Sequence, residues 1–265
     1  MKALDLKVAF GLPPERAVAF LRAKGYLISD NWTEVWQEAH TRAFTVANVA
    51  TMDVLQDIRQ ALDSALSKGE TLEQFKDQLM PTLKAKGWWG KAVDQTTGEI
   101  LKTYKNSNVP VQYGNPHRLA TIYQTNLQTA YMTGRYQGMK AAVATHPYWQ
   151  YVAVLDNRTR PAHRALAGMV FRHDDPVWSL IYPPNGFRCR CRVRPMSEFS
   201  MKSEGYYLSD STGYVKQIEV PKSRRDPDAG MTTVTKVKLP HMQHAFYTDP
   251  GWSYNPAAKP LQVGP

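Results

Sequence analysis

The chain has only two cysteines in 265 residues, Cys189 and Cys191. One residue apart, they cannot build the disulfide framework of a small secreted domain, and a bridge between them would be strained. No stretch approaches the roughly 18 consecutive apolar residues of a membrane-spanning helix. The opening segment, Met1 to Lys7, lacks the apolar core of a secretory signal. These absences lead us to expect a soluble chain made in a reducing cytoplasm, with no membrane partner. Acidic residues are scarce beside basic ones, 23 against 33, for a formal net charge of +10. Such an excess favours a polyanionic partner, most simply nucleic acid; solubility alone is the competing reading. The nucleophile elbow GxSxG, a Gly-rich phosphate loop and HExxH are all missing, as is any internal repeat.

What is there suits an α+β fold. Hydrophobic residues make up 43% of the chain, enough for a real core in one large domain or two small ones. A short helix is expected over residues 13–24, opened by Pro13 and Pro14 and closed by Gly25. No Gly or Pro interrupts the chain between Gly25 and Gly69. Ala47, Ala50, Val54, Ile58, Leu62 and Ala65 recur at helical spacing there, so we expect one long helix over about 33–68, or two with a minor break. Thr71 and Gln74 form a capping-box pattern that starts another helix ending near Gly87. Residues 1–87 thus read as a helical N-terminal region with nothing catalytic in it.

Residues 88–116 read as a connector. Ala92–Asp94 and Glu99–Tyr104 are expected to pair as a β-hairpin about the turn 95–98. A further helix follows over His117–Ala142, with Leu119, Ile122, Tyr123, Leu127, Ala130 and Tyr131 as its apolar stripe. Tyr148–Leu155 reads as a strand and Asp156-Asn157 as a turn. Pro161 opens a short helix carrying His163, Gly168 ends it, and Met169–Arg172 returns as a strand. Beyond residue 200 the composition shifts. Tyr214–Val220 and Thr232–Leu239 are strand candidates around an exposed turn at 223–230. From Thr248 the Pro- and aromatic-rich tail is expected to lie extended over another surface.

The chemistry concentrates between Tyr151 and Pro195. Read as a strand, Arg188–Arg194 puts Cys189, Cys191 and Val193 on one face and Arg188, Arg190, Arg192 and Arg194 on the other. The thiols can lean toward one structural zinc ion, with His163 as third ligand. Asp156 and His173 are candidates for the fourth, with Asp156 preferred. The competing reading makes the cysteines small buried hydrophobes and His163 a hydrogen-bonded turn residue, since Cys-x-Cys alone is a weak signal. The four arginines are candidates for phosphate or acidic-partner contact. Local salt bridges to Asp156, Asp174, Asp175 and Glu198 are the alternative. No base-reading motif accompanies the arginines, so any nucleic-acid contact would be non-specific. A thiol with His163 can mimic a nucleophile and base. Paired thiols without a formed constellation favour a structural role, so no enzyme is expected.

Four phrases in order carry a resemblance: Arg118-Leu-Ala-Thr-Ile-Tyr-Gln-Thr-Asn126, Ala130-Tyr-Met-Thr-Gly-Arg-Tyr136, Asp156-Asn-Arg-Thr-Arg-Pro-Ala-His163 and Pro183-Pro-Asn-Gly-Phe-Arg-Cys-Arg-Cys191. They resemble the phage Mu F-like minor head proteins, the phage head morphogenesis family. The resemblance implies a family domain over about 117–200; the residues after it, 201–265, read from their composition as a β and irregular, aromatic- and Pro-rich tail. It implies a minor capsid protein acting in head assembly, found in the virion and, during assembly, in the host cytoplasm. Its implied partners are the portal or major capsid protein, packaged double-stranded DNA, and other copies of itself in the assembled head. Some relatives carry a cysteine at the position of Arg160, so the resemblance supports His163, Cys189 and Cys191 as a cluster with one ligand fewer. Related domains in bacterial toxins keep a nuclease- or transferase-like effector as the alternative.

Overall fold

The computed structural model describes residues 14–30, 33–49, 51–223 and 226–258. The chain is α+β, with helices dominating the first half and strands the second. It divides into two compact units, residues 1–127 and 128–265.

In the first unit, α1 (Pro14–Arg22) ends just before β1 (Gly25–Tyr26). Pro13, expected to open this helix, lies outside the described residues. The long helix expected over 33–68 is shorter than its pattern. A single turn, α2 (Ala39–Arg42), gives way to β2 (Ala43–Phe44), which pairs in parallel with β1. Residues 45–49 are irregular, and α3 spans Met52–Lys68. Tertiary contacts override the helical spacing here. Asn48 adopts a left-handed φ of 56° and donates its N–H to the Ser29 carbonyl, while its own carbonyl accepts the Trp88 indole N–H at 2.7 Å. Asparagine tolerates that backbone where most residues do not. Ala50, counted in the helical stripe, lies outside the described residues.

Helix α3 buries Val54, Leu55, Ile58, Leu62, Ala65 and Leu66, one stripe of an amphipathic helix. Gly69 closes it at φ 71°, the left-handed C-terminal cap. Helix α4 (Leu72–Ala85) starts with the expected capping box: Thr71 Oγ1 accepts from the Gln74 N–H and Gln74 Oε1 accepts from the Thr71 N–H. Phe75, Leu79 and Leu83 are its buried face. The connector makes single bridges instead of full strands, Val93 with Ile100, Lys91 with Gln112 and Thr103 with Pro110. Its turn is firm, because the Asp94 carboxylate accepts the N–H groups of Thr96 and Thr97. Arg118 closes the connector: its guanidinium lies 4.9 Å from the Trp88 ring and donates to the carbonyls of Ala47 and Gln112.

Helix α5 (Pro116–Ala141) begins in the first unit and ends in the second. The second unit is built on a three-stranded antiparallel sheet in the order β4-β3-β5, with β3 (Tyr148–Val152) central, β4 (Val170–Arg172) and β5 (Arg192–Met196). One sheet face carries the fully buried Trp149 and Tyr151. Trp149 meets Trp178 and Tyr182, from and beside α7 (Trp178–Ile181), in an aromatic cluster. The other face packs Val170 and Met196 against Met201 of α8 (Glu198–Ser203). A second sheet, β6 (Val215–Pro221), β7 (Met231–Val237) and β8 (Phe246–Tyr247), follows in that order. Both expected strands of this region are present. Among the described residues no helix is long and apolar enough to cross a membrane.

Candidate metal centre

His163 sits on the one-turn helix α6 (Pro161–Arg164). Proline at its first position suits this start, because its missing N–H needs no partner there. The chain returns at Gly168, whose φ of 84° and bond to the Tyr151 carbonyl lead it into β4. The cysteines come from the loop before β5. Gly186 in that loop has no room for a side chain: an added Cβ would lie 2.2 Å from an Asp249 carboxylate oxygen. That contact is a packing reason for glycine in the Pro-Pro-Asn-Gly phrase.

The loop and the helix bring three ligand atoms together. His163 Nδ1 lies 3.7 Å from the sulfurs of both Cys189 and Cys191. All three side chains are buried, His163 and Cys191 at 1% exposure and Cys189 at 4%. Tetrahedral zinc with ordinary Zn–N and Zn–S bonds places N and S about 3.6 Å apart, so this spacing fits a shared ion. The donor set of two sulfurs and one imidazole is also one that zinc favours. The thiols are unequal. The hydrogen bond from Cys191 and then His163 pull the Cys189 thiol well below its ordinary range, against the cost of burial. Cys191, giving its proton toward Cys189 and buried itself, is pushed well above. Around them, Gln128 Nε2 donates to the Cys191 carbonyl at 2.6 Å, and the Tyr151 hydroxyl hydrogen-bonds Cys191 and accepts from Asn185. The Phe246 ring covers His163 with centroids 5.6 Å apart.

Comparison with known proteins places this cluster in a family context. The model of the family described as "Phage Mu protein F like protein" matches residues 56–194, which include all three ligands. The chain belongs to that family. It is 42% identical over 257 residues to the putative capsid assembly protein F of Escherichia phage Mu, covering 97% of this chain and 57% of that protein. It is also 42% identical over 231 residues to the Mu-like prophage FluMu F protein of Haemophilus influenzae, covering 86% of this chain and 52% of that one. The chain therefore spans about half the length of the curated relatives it matches. No solved structure matches it.

Two expectations for this F-like chain need correction. Asp156 does not join the cluster, because both its carboxylate oxygens accept from the Arg190 guanidinium at 2.5 and 2.9 Å. Those bonds hold its carboxyl far below the usual range, the direction of a committed ion-pair partner. His173 stands elsewhere too, against Trp149. Among the described residues no fourth His, Cys, Asp or Glu meets the three. The second correction is to the arginine row. Strand β5 starts only at Arg192, and Arg188 has a left-handed φ of 58°. Burial still alternates through Cys189, Cys191 and Val193, yet the four arginines do not share one strand face. Arg194 turns to Glu204 and Arg190 to Asp156. Local pairing was the right alternative for these two, though Glu204 in place of Glu198 serves Arg194.

Sequence reasoning missed Asp249, Phe246 and Gln128. Asp249 pairs with Arg160 at 2.9 Å, and burial raises its carboxyl pKa despite that arginine. All three lie 35 or more residues from the ligands they serve, and no local pattern marks them.

Proposed function

We propose that this F-like chain is a structural component of a tailed-phage or prophage head that acts in head assembly, and that it is not an enzyme. The observation that carries the reading is the burial of its reactive groups. His163, Cys189 and Cys191 are at most 4% exposed, and the Phe246 ring lies against His163. The printed name of the Mu relative, a putative capsid assembly protein, supports the same role. Its partners are then the portal or major capsid protein and other copies of itself, in the virion and in host cytoplasm during assembly. The cluster's part is to staple the second unit. A zinc ion held by His163 Nδ1 and the two sulfurs would join α6 to the loop before β5. The test is to locate the protein in purified procapsids and virions. Heads that assemble normally without it, and from which it is consistently absent, overturn the proposal.

A further inference from the structure

The three ligands of the candidate centre leave one corner of a tetrahedral ion unfilled, and a structural zinc site takes four. Two carboxylates compete for that corner. Asp156 is committed, since Arg190 takes both its oxygens, and its charge is set by Arg190, Arg158 and Thr159. Asp249 is placed differently. It stands two residues beyond β8, whose Phe246 ring covers His163. Its N–H donates to the Asn185 carbonyl at 2.9 Å, and its carboxylate lies against Gly186, whose carbonyl accepts the Cys189 N–H at 3.2 Å. On its other side Oδ2 meets Arg160 at 2.9 Å, and the Arg160 carbonyl accepts the His163 N–H at 3.0 Å. The carboxylate therefore touches both segments that carry the ligands. Both His163 and Cys189 are near enough to act on its charge.

We propose that Asp249 supplies the fourth ligand of the zinc site. With Oδ2 on Arg160 it stands outside the group of three, so joining them takes a turn of its side chain. A carboxylate can then serve both partners, one oxygen on the ion and the other on the guanidinium. The charges balance in that arrangement. Zinc with two thiolates, a neutral imidazole and a carboxylate carries one negative charge, and Arg160 beside it carries the matching positive one, as a buried ionic group requires. Arg160 is not stranded by the turn, because it also donates to the Phe187 carbonyl at 3.0 Å. Asp249 lies beyond residues 56–194, the span matched by the family model, so the closing ligand comes from outside that span. The inference rests on the zinc staple proposed above.

The experiment is zinc affinity of the full chain, read by competition with a chromophoric chelator, with cobalt(II) as the spectroscopic substitute. Loss of an outer-shell partner weakens a metal site by about 10–100-fold, so loss of a ligand should exceed that range. Asp249→Ala should weaken zinc binding by more than about 100-fold. Arg160→Ala, which removes only the ion-pair partner, should stay within about tenfold of wild type. Asp249→Cys should bind cobalt with a sulfur-to-cobalt charge-transfer band larger by about half, as two thiolates become three. That band grows only if residue 249 reaches the ion, so a merely structural role would not move it. Circular dichroism at excess zinc checks that each variant is folded. Three results each overturn the inference: Asp249→Ala within about tenfold of wild type, Arg160→Ala losing as much as Asp249→Ala, or an unchanged charge-transfer band in Asp249→Cys. Any of these beside a wild type that holds one zinc leaves the staple standing. A wild type that binds no zinc sinks both.

Discussion

In α3 and α4 the apolar residues are many and alike. Val54, Leu55, Ile58, Leu62, Leu66, Phe75, Leu79 and Leu83 are all buried. Around His163 the essential groups are few and different from one another: one imidazole, two thiols, one covering ring and a glycine that admits Asp249. The helical pair is held by redundancy along a periodic stripe. The cluster is held by single contacts between segments far apart in the chain. A redundant region should lose stability in small steps, and a sparse one should fail at one stroke.

The sharpest way to break that contrast is to disrupt the candidate metal centre. A link between His163 and Cys189 closes a loop of 26 residues' separation, and by chain-entropy reasoning is worth about 3.5 kcal/mol. Metal analysis should give about one zinc per chain, absent from a Cys189→Ser, Cys191→Ser variant. A chelator, or that variant, should raise hydrogen exchange throughout β3, β4 and β5 while α3 and α4 keep their protection. Equal protection with and without the ion would reduce the cluster to buried thiols.

A smaller effect tests the first unit through Lys24, a charged residue buried beside its apolar core. Lys24 is 6% exposed, donates to the His40 carbonyl at 2.7 Å and lies 4.8 Å from the Phe20 ring. Burial, and then the charge of Arg59, lower its pKa to about 7. The unfolded chain keeps this proton up to its ordinary value of 10.5, so between pH 7 and 10.5 it binds more protons than the fold. Stability of the first unit should therefore rise with pH across that window, with the full cost of burying the charge present below pH 7. His40, lowered to about 4 first by burial and then by Lys24, adds a rise between pH 4 and 6.5 of the same sign. Lys24→Met should stabilise the protein at pH 6 by roughly 1–2 kcal/mol and abolish the upper rise. Denaturant titrations at pH 6 and pH 9 read both outcomes.

The smallest expected effect is at the helix cap. Thr71→Ala removes an acceptor from the first turn of α4 and should cost about 1 kcal/mol, while Thr71→Ser should be close to neutral. A larger loss would mean that the helical pair depends on single contacts after all.

The same contrast explains what could be read from the sequence. Helices α3, α4 and α5, the capping box at Thr71, the strands β6 and β7 and the turn at Gly168 all rest on signals a few residues long, and all are present. The three cluster ligands were legible because thiols and imidazole advertise their chemistry. Partner choice was not. Asp156 stood as a candidate both for the ion and for the arginines, and nothing local decides that Arg190 claims it across 34 residues, or that β1 recruits Ala43 and Phe44 out of a helical pattern. The arginine row failed for a related reason. Period-two alternation described the burial correctly, but the left-handed turn at Arg188 changed where the exposed side chains point.

Phe246 has a consequence in time as well as in space. The ring that covers His163 lies 55 residues beyond Cys191, so it leaves the ribosome after every ligand. At ordinary rates of synthesis that interval is on the order of 3–10 s. During it the imidazole and both thiols have emerged without their cover. An ion taken up then would meet an open site, and the arriving strand would shut it in. Loading and sealing would then be separate events, ordered by position along the chain.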